Sequence, residues 1–150
     1  MDKTEKYKRI LLQLEDLFAR TNDLDARMAT MAALLHHKLP QLLWTGFYSL
    51  KDDELLVKMY QGPLACQVLK KNTGVCWTAI NTGKTVIVPD VLLFDGHIAC
   101  DPRSKSEIVV PVTNNDGKIS GVLDLDCKVL NGFDLIDGEY LEKAVLLLHR

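Results

Sequence analysis

The sequence predicts an α+β domain in which a central antiparallel β-sheet is flanked by N- and C-terminal helices. Two observations carry this. Apolar residues recur at helical spacing near both ends of the chain and follow strand-like patterns in between, and short polar turns join the strand-like runs as hairpins do. At 150 residues the chain has the usual size of one domain, so residues 1–150 are expected to share one core. Such a chain buries roughly 70% of the surface its unfolded form exposes, enough for stability without disulfide or metal staples.

Ile10, Leu11, Leu14, Leu17 and Phe18 fall on one helical face while Glu5, Lys8 and Glu15 lie off it, which predicts an amphipathic first helix. Thr21, Asn22 and Asp23 stop it and can cap a second helix, whose stripe is Leu24, Met28, Met31, Leu34 and Leu35 and which Pro40 closes. Leu43–Leu50 and Glu54–Tyr60 read as strands joined by Lys51-Asp52-Asp53. Gly74–Asn81 reads as a short helix stopped near Gly83, and Thr85–Val88 as a strand that Pro89 ends. Residues 89–106 form a connection without periodicity, longer than the ~12–15 residues beyond which such segments are often functional. Glu107–Val112 and Lys118–Cys127 are two further strands joined by Asn114-Asn115-Asp116-Gly117. Asp134 is the N-cap of a last helix, with Asp137 three residues on and Leu141, Ala144, Val145 and Leu148 as its buried stripe.

Composition narrows the function classes. Hydrophobic residues at 47% and charged residues at 25% are globular values and argue against disorder. Eighteen Lys and Arg against 20 Asp and Glu leave a net charge of −2, with no basic surplus to draw the chain to nucleic acid. The longest apolar runs, such as Ala144 to Leu148, are too short to span a bilayer, and the charged stretch Met1 to Arg9 does not read as a signal peptide. A cytoplasmic location follows as an expectation. There, four cysteines are expected to be free, metal-bound or catalytic rather than structural cross-links.

Cys66, Cys76 and Cys100 sit in loop or helix-start contexts; each can be a small buried hydrophobe or a reactive group. No Cys-x-x-Cys pair is present, and His97 with Cys100 does not make the two close ligand pairs of a structural zinc site, so no metal is expected. Cys100, in the long connection, is the best nucleophile candidate because a reactive thiol must be reachable. His97, Arg103 and Lys105 can favour its thiolate, and Asp101 opposes it. Cys127 shares an apolar strand face with Leu123 and Leu125 and reads as core. Asp124 and Asp126 occupy the opposite face, which is either solvated or lines a site. Glu107 begins the preceding strand, where sheet pairing can bring it near them; crowded carboxylates raise one another's pKa, so one can stay protonated and act as a proton donor. Trp44 and Tyr48 share a face of the first strand, as a wall for a small apolar group or as ordinary core. His36 and His37 read as a favourable positive end of the second helix.

Six runs together carry a family resemblance: Trp44-Thr45-Gly46-Phe47-Tyr48, Gly62-Pro63-Leu64-Ala65-Cys66, Gly74-Val75-Cys76, Gly96-His97-Ile98-Ala99-Cys100-Asp101, Ser106-Glu107-Ile108-Val109-Val110-Pro111 and Gly121-Val122-Leu123-Asp124-Leu125-Asp126. They resemble the free methionine-(R)-sulfoxide reductases, small stand-alone GAF-domain enzymes, in the context and spacing of three cysteines. The ending Asn131-Gly132-Phe133 with Asp137 and Glu139 is similar to that common to GAF domains. The fold so implied is a GAF-like single domain.

The resemblance implies a role for each matching residue. Cys100 is the catalytic cysteine, whose thiolate attacks the sulfoxide sulfur of free methionine-(R)-sulfoxide, releasing methionine and leaving a sulfenic acid. Cys66 is the resolving cysteine that forms a disulfide with it, and Cys76 is a third cysteine able to take part. Glu107, Asp124 and Asp126 form an acidic cluster around the sulfoxide oxygen and bound water, and Trp44 and Tyr48 receive the terminal methyl group. Cys127 departs from the family pattern, which has a small residue such as serine there. No cofactor is implied, and the reductant is thioredoxin, acting by thiol–disulfide exchange. The loop bearing Cys100 is expected to move between reduced and disulfide forms. Pairing into a homodimer through the terminal helices stays open. The alternative is a small-ligand-binding or redox-sensing GAF module without turnover, since a fold match alone does not license an activity.

Overall fold

A computed structural model describes residues 1–97 and 100–150. Ile98 and Ala99, part of the Gly96–Asp101 run singled out above, lie outside the described residues. The chain runs α1 (Lys3–Phe18), α2 (Leu24–Lys38), β1 (Leu42–Lys51), β2 (Glu54–Gln61), β3 (Val68–Leu69), α3 (Gly74–Thr82), β4 (Val86–Val88), β5 (Ser106–Thr113), β6 (Ile119–Cys127) and α4 (Leu135–Leu146). The strands form one antiparallel sheet in the order β3-β2-β1-β6-β5-β4. Helices and antiparallel sheet follow the sequence expectation, with boundaries shifted by a residue or two.

Local chemistry accounts for the element ends. Asp2 and Asp23 accept hydrogen bonds from the backbone N–H of Glu5 and Ala26, each at 2.8 Å, and so start α1 and α2. Asp134 starts α4 within a full capping box, accepting from the Asp137 N–H while the Asp137 carboxylate accepts from the Asp134 N–H at 2.7 Å. Asp52 and Asp53 both adopt positive φ (51° and 65°), the signature of the tight two-residue turn whose twist matches a hairpin. Two elements escaped the pattern reading: β3 is too short to show a period, and Val91–Leu93 forms a single 3-10 turn inside the long connection. His36 also differs from expectation. Its Nδ1 lies 3.0 Å from Thr45 Oγ1, and burial lowers its pKa, so it serves as a neutral hydrogen-bonding group rather than a terminal cation.

Period-two alternation divides the strands between two cores. Phe47, Ile108, Val110, Leu123, Leu125 and Cys127 face α1, α2 and α4, where they pack with Ile10, Leu14, Met31, Leu35, Leu141 and Leu148. Trp44, Tyr48, Val109 and Val122 face the other way, toward α3 and the loops, with Val75, Trp77, Ala79 and Val88. The first core is sealed at both termini by buried polar groups. Asp137, 1% exposed, accepts from the Tyr7 hydroxyl at 2.6 Å and from Lys3 Nζ at 2.8 Å, and Tyr7 stacks on Tyr140. Arg27 is buried and donates to the carbonyls of Phe18 (2.7 Å), Thr21 (2.7 Å), Leu148 (3.0 Å) and Arg150 (3.0 Å), which ties the end of α1 to the C-terminus. Arg27→Met keeps the apolar stem but leaves those carbonyls unpartnered, so urea unfolding is expected to show a loss of about 2–4 kcal/mol, against under about 0.5 kcal/mol for the exposed Arg20→Met.

Candidate active site

Strand register builds the site. Across β5 and β6, Glu107 stands opposite Asp126, and Val109 opposite Asp124. Across β6 and β1, Asp126 stands opposite Trp44, and Asp124 opposite Gly46. Side chains at paired positions share a face, so one row carries Trp44, Asp126 and Glu107, and the next carries Gly46, Asp124 and Val109. Gly46 is needed where it stands, because a Cβ there would lie 2.6 Å from the Trp44 ring. The indole lies in that space, stacked between Tyr48 (centroids 5.6 Å apart) and Tyr60 (5.3 Å).

Over these rows lies a cavity of about 610 Å³, part of it open to solvent. Trp44 and Tyr48 form its apolar wall, Glu107, Asp124 and Asp126 its acidic part, and Cys76, from the first turn of α3, joins them. Cys100 and Ala65, the neighbour of Cys66, also line it. Cys66 and Cys100 form a disulfide with α-carbons 5.7 Å apart, linking the segment after β2 to the long connection. The Tyr48 hydroxyl donates to the Cys66 carbonyl at 3.4 Å. Trp44, Tyr48, Cys76, Cys100, Glu107, Asp124 and Asp126 therefore line one cavity, with Cys66 joined to it through the disulfide, and the solvated-face reading of Asp124 does not hold: that residue is 5% exposed. Cys127 is buried in the opposite core, its thiol 3.4 Å from the Gln41 carbonyl.

The family model for the GAF domain matches residues 21–145. The free methionine-R-sulfoxide reductase of Saccharomyces cerevisiae is 40% identical over 157 residues, covering 100% of this chain and 87% of the yeast protein. That of Escherichia coli is 39% identical over 150 residues, covering 100% and 90%. The chain belongs to the free methionine-R-sulfoxide reductase family. In three dimensions it superposes on the free methionine-R-sulfoxide reductase of Neisseria meningitidis, solved in complex with its substrate, with a TM-score of 0.94 and 41% identity over 99% of this chain and 89% of that one.

Within this member of the free methionine-R-sulfoxide reductase family, burial controls the ionisation of the cavity. Desolvation first, then the Asp126 charge, push Glu107 up to about 8, against a weaker opposing hydrogen bond with Asp124. Asp124 is raised by burial and then by Glu107. Asp126 is raised by burial and then by Asp124, although the Ser104 hydroxyl donates to it at 3.1 Å. The Cys76 thiol is raised by burial and then by the Asp124 charge, which keeps it protonated. Cys100, by contrast, is exposed at the mouth.

The cationic neighbours differ from expectation. Burial lowers the pKa of His97, so it is neutral near pH 7, and its Nε2 lies 3.7 Å from Glu107 Oε1. Arg103 is engaged by Asp101 through bonds of 2.7 and 3.0 Å, and that hydrogen bonding holds Asp101 at about 2. Ser104, which donates to Asp126, and Tyr60, which stacks on Trp44, carry no sequence signal: one is a lone serine in an aperiodic loop and the other a tyrosine at a strand end. Among the described residues, Trp44 Nε1 and Asp124 Oδ1 are buried with no hydrogen-bond partner, a donor and an acceptor at one cavity. Cys76, Glu107 and Asp124 are the group there with metal-ligand chemistry.

The raised carboxyls set a pH dependence of stability. Glu107 binds its proton more tightly folded than unfolded, so its contribution is full below about 4.5 and is lost as pH rises through about 8. Asp124 and Asp126 act with the same sign. Urea denaturation is expected to show unfolding free energy falling between pH 5 and 9, with a shallower fall in Glu107→Gln, whose side chain cannot ionise.

Proposed function

We propose that this protein reduces free L-methionine-(R)-sulfoxide to L-methionine, as a single catalytic domain over residues 1–150. One observation supports this above the rest: an exposed Cys100, bridged to Cys66, at the mouth of the cavity that holds Glu107, Asp124 and Asp126. A soft thiolate attacks sulfur, while a carboxyl protonated near neutral pH supplies the proton that the sulfoxide oxygen needs.

In the reduced protein, the Cys100 thiolate attacks the sulfoxide sulfur and Glu107 protonates the oxygen. The S–O bond breaks as oxygen passes to Cys100, which becomes a sulfenic acid while the substrate is reduced to the thioether. Cys66 then attacks the sulfenic sulfur, forming the disulfide and releasing the oxygen as water. A dithiol protein of the thioredoxin type restores both thiols by exchange. The buried, protonated Cys76 is the poorer nucleophile of the two and serves as auxiliary. Trp44 and Tyr48 receive the terminal methyl group. A free amino acid carries an ammonium donor and carboxylate and sulfoxide acceptors, which suits an acidic cavity with one unpartnered donor and one unpartnered acceptor.

The setting is a cytoplasmic one, where a thioredoxin-type reductant is present, and no helix among the described residues is long and apolar enough to cross a membrane. Exposed Leu12 and Leu146 on the terminal helices offer apolar contact for pairing into a homodimer.

Reductant-coupled turnover is expected with the free R epimer and not with the S epimer. Cys100→Ser should fall to background, and undiminished activity in that variant would remove the proposed nucleophile. Glu107→Gln should lower kcat by roughly 10²–10⁴-fold, and wild-type kcat should decline above about pH 8 as Glu107 loses its proton. Opening the bridge frees the loop bearing Cys100 from the segment around Cys66, so amide exchange over residues 100–105 should accelerate on reduction; equal rates in both forms would contradict the expected loop movement.

A further inference from the structure

The cavity floor holds a donor set that the reaction does not use as a set. Cys76 Sγ and carboxylate oxygens of Glu107 and Asp124 all lie within 4.8 Å of one another. These residues are 5%, 6% and 5% exposed, and Cys76 remains a free thiol while Cys66 and Cys100 are bridged. A separate observation points to a ligand: Asp124 Oδ1 is fully buried and has no hydrogen-bond partner among the described residues. The donor types narrow the choice. A sulfur with two carboxylate oxygens suits a borderline divalent ion, whereas calcium and magnesium take all-oxygen shells of higher coordination number. Bonds of about 2.3 Å to sulfur and 2.0–2.2 Å to oxygen place neighbouring ligands of a tetrahedral ion about 3.3–3.8 Å apart. The ligand atoms, up to 4.8 Å apart in the metal-free protein, must therefore draw together to hold it. His97 Nε2 lies 3.7 Å from Glu107 Oε1, at the edge of the group and outside the mutual distance its three members keep. An ion at this point would also relieve the crowding of two acids and a thiol in a low-dielectric space.

We propose that Cys76, Glu107 and Asp124 form a binding site for a zinc-class divalent ion, which on occupying the cavity floor blocks the sulfoxide and inhibits the enzyme reversibly. The ion is an inhibitor, not a cofactor. Its binding is independent of the reading given under Proposed function; the inhibition rests on that reading.

The test begins with the full-length protein in its disulfide form, stripped of metal, where no turnover occurs. Titration with Co²⁺ is expected to give one ion per chain and a thiolate-to-cobalt absorption band in the near ultraviolet, and Zn²⁺ should displace it. Cys76→Ser should abolish the band, and Asp124→Asn should weaken binding at least tenfold, with near-ultraviolet circular dichroism confirming that both are folded. Cys127→Ser should retain band and affinity. Absence of stoichiometric binding, or a band that survives Cys76→Ser, overturns the site. In a second arm, the reduced protein is given free methionine-R-sulfoxide without reductant, and methionine formed in a single turnover is counted. One equivalent of Zn²⁺ should lower the rate at least tenfold, and a chelator should restore it. Inhibition that persists in Cys76→Ser assigns the effect to Cys66 and Cys100 and overturns the inhibitory role. Failure of the reductase reading would appear separately, as reduced protein that forms no methionine in the absence of metal.

Discussion

The register in which β6 pairs with β1 on one side and β5 on the other is the constraint on which the site rests. Asp124 and Asp126 point into the cavity only because Leu123, Leu125 and Cys127 are held in the opposite core. A slip of one residue would turn the carboxylates into a layer of leucines and place those leucines over the cavity. Pairing then assigns the partners: Glu107 falls beside Asp126 on one flank and Trp44 on the other, so an acid from β5 and an aromatic from β1 meet at two acids from β6. Three strands contribute acids and an aromatic to the cavity, and one alignment coordinates them.

That alignment carries an electrostatic cost. Buried acids are tolerated largely by holding protons, which is why all three are raised. The opposing stability lies on the other side of the sheet, in the packed faces of α1, α2 and α4, in the Asp137–Tyr7–Lys3 cluster and in the Arg27 clamp on the C-terminal carbonyls. One face of the sheet thus supports a strained chemical environment on the other. The same burial that suits a carboxyl to proton donation leaves the Asp124 oxygen unpartnered and gathers ligands suited to a borderline divalent cation, so proton chemistry and metal affinity share a physical origin.

The four cysteines illustrate how surroundings decide what a residue type can do. Cys100 is exposed at the cavity mouth, Cys66 is half-buried and bridged to it, Cys76 is buried beside acids, and Cys127 is enclosed among apolar side chains and backbone. An exposed thiol can ionise and be reached; one beneath carboxylates keeps its proton; one in an apolar core is a small hydrophobe.

The architecture was legible because helices and strands bury different periods: the stripe through Ile10, Leu14 and Phe18, the alternation through Leu123, Leu125 and Cys127, and the Asp-rich caps and turns are all local signals. The separation of Cys127 from the other cysteines and the placement of Asp124 and Asp126 on one face followed from the same alternation. Motif resemblance joins the remaining site residues, which no local period links. What periodicity could not supply was contact between distant segments. Whether the face bearing Asp124 met water or a cavity depended on α3 and the loops packing over it. The neutral state of His97, the engagement of Arg103 by Asp101, the Ser104 bond to Asp126 and the bond of His36 to Thr45 depended on which groups long-range folding placed together. Ionisation and reach are properties of a three-dimensional neighbourhood, and only the tertiary structure decides that neighbourhood.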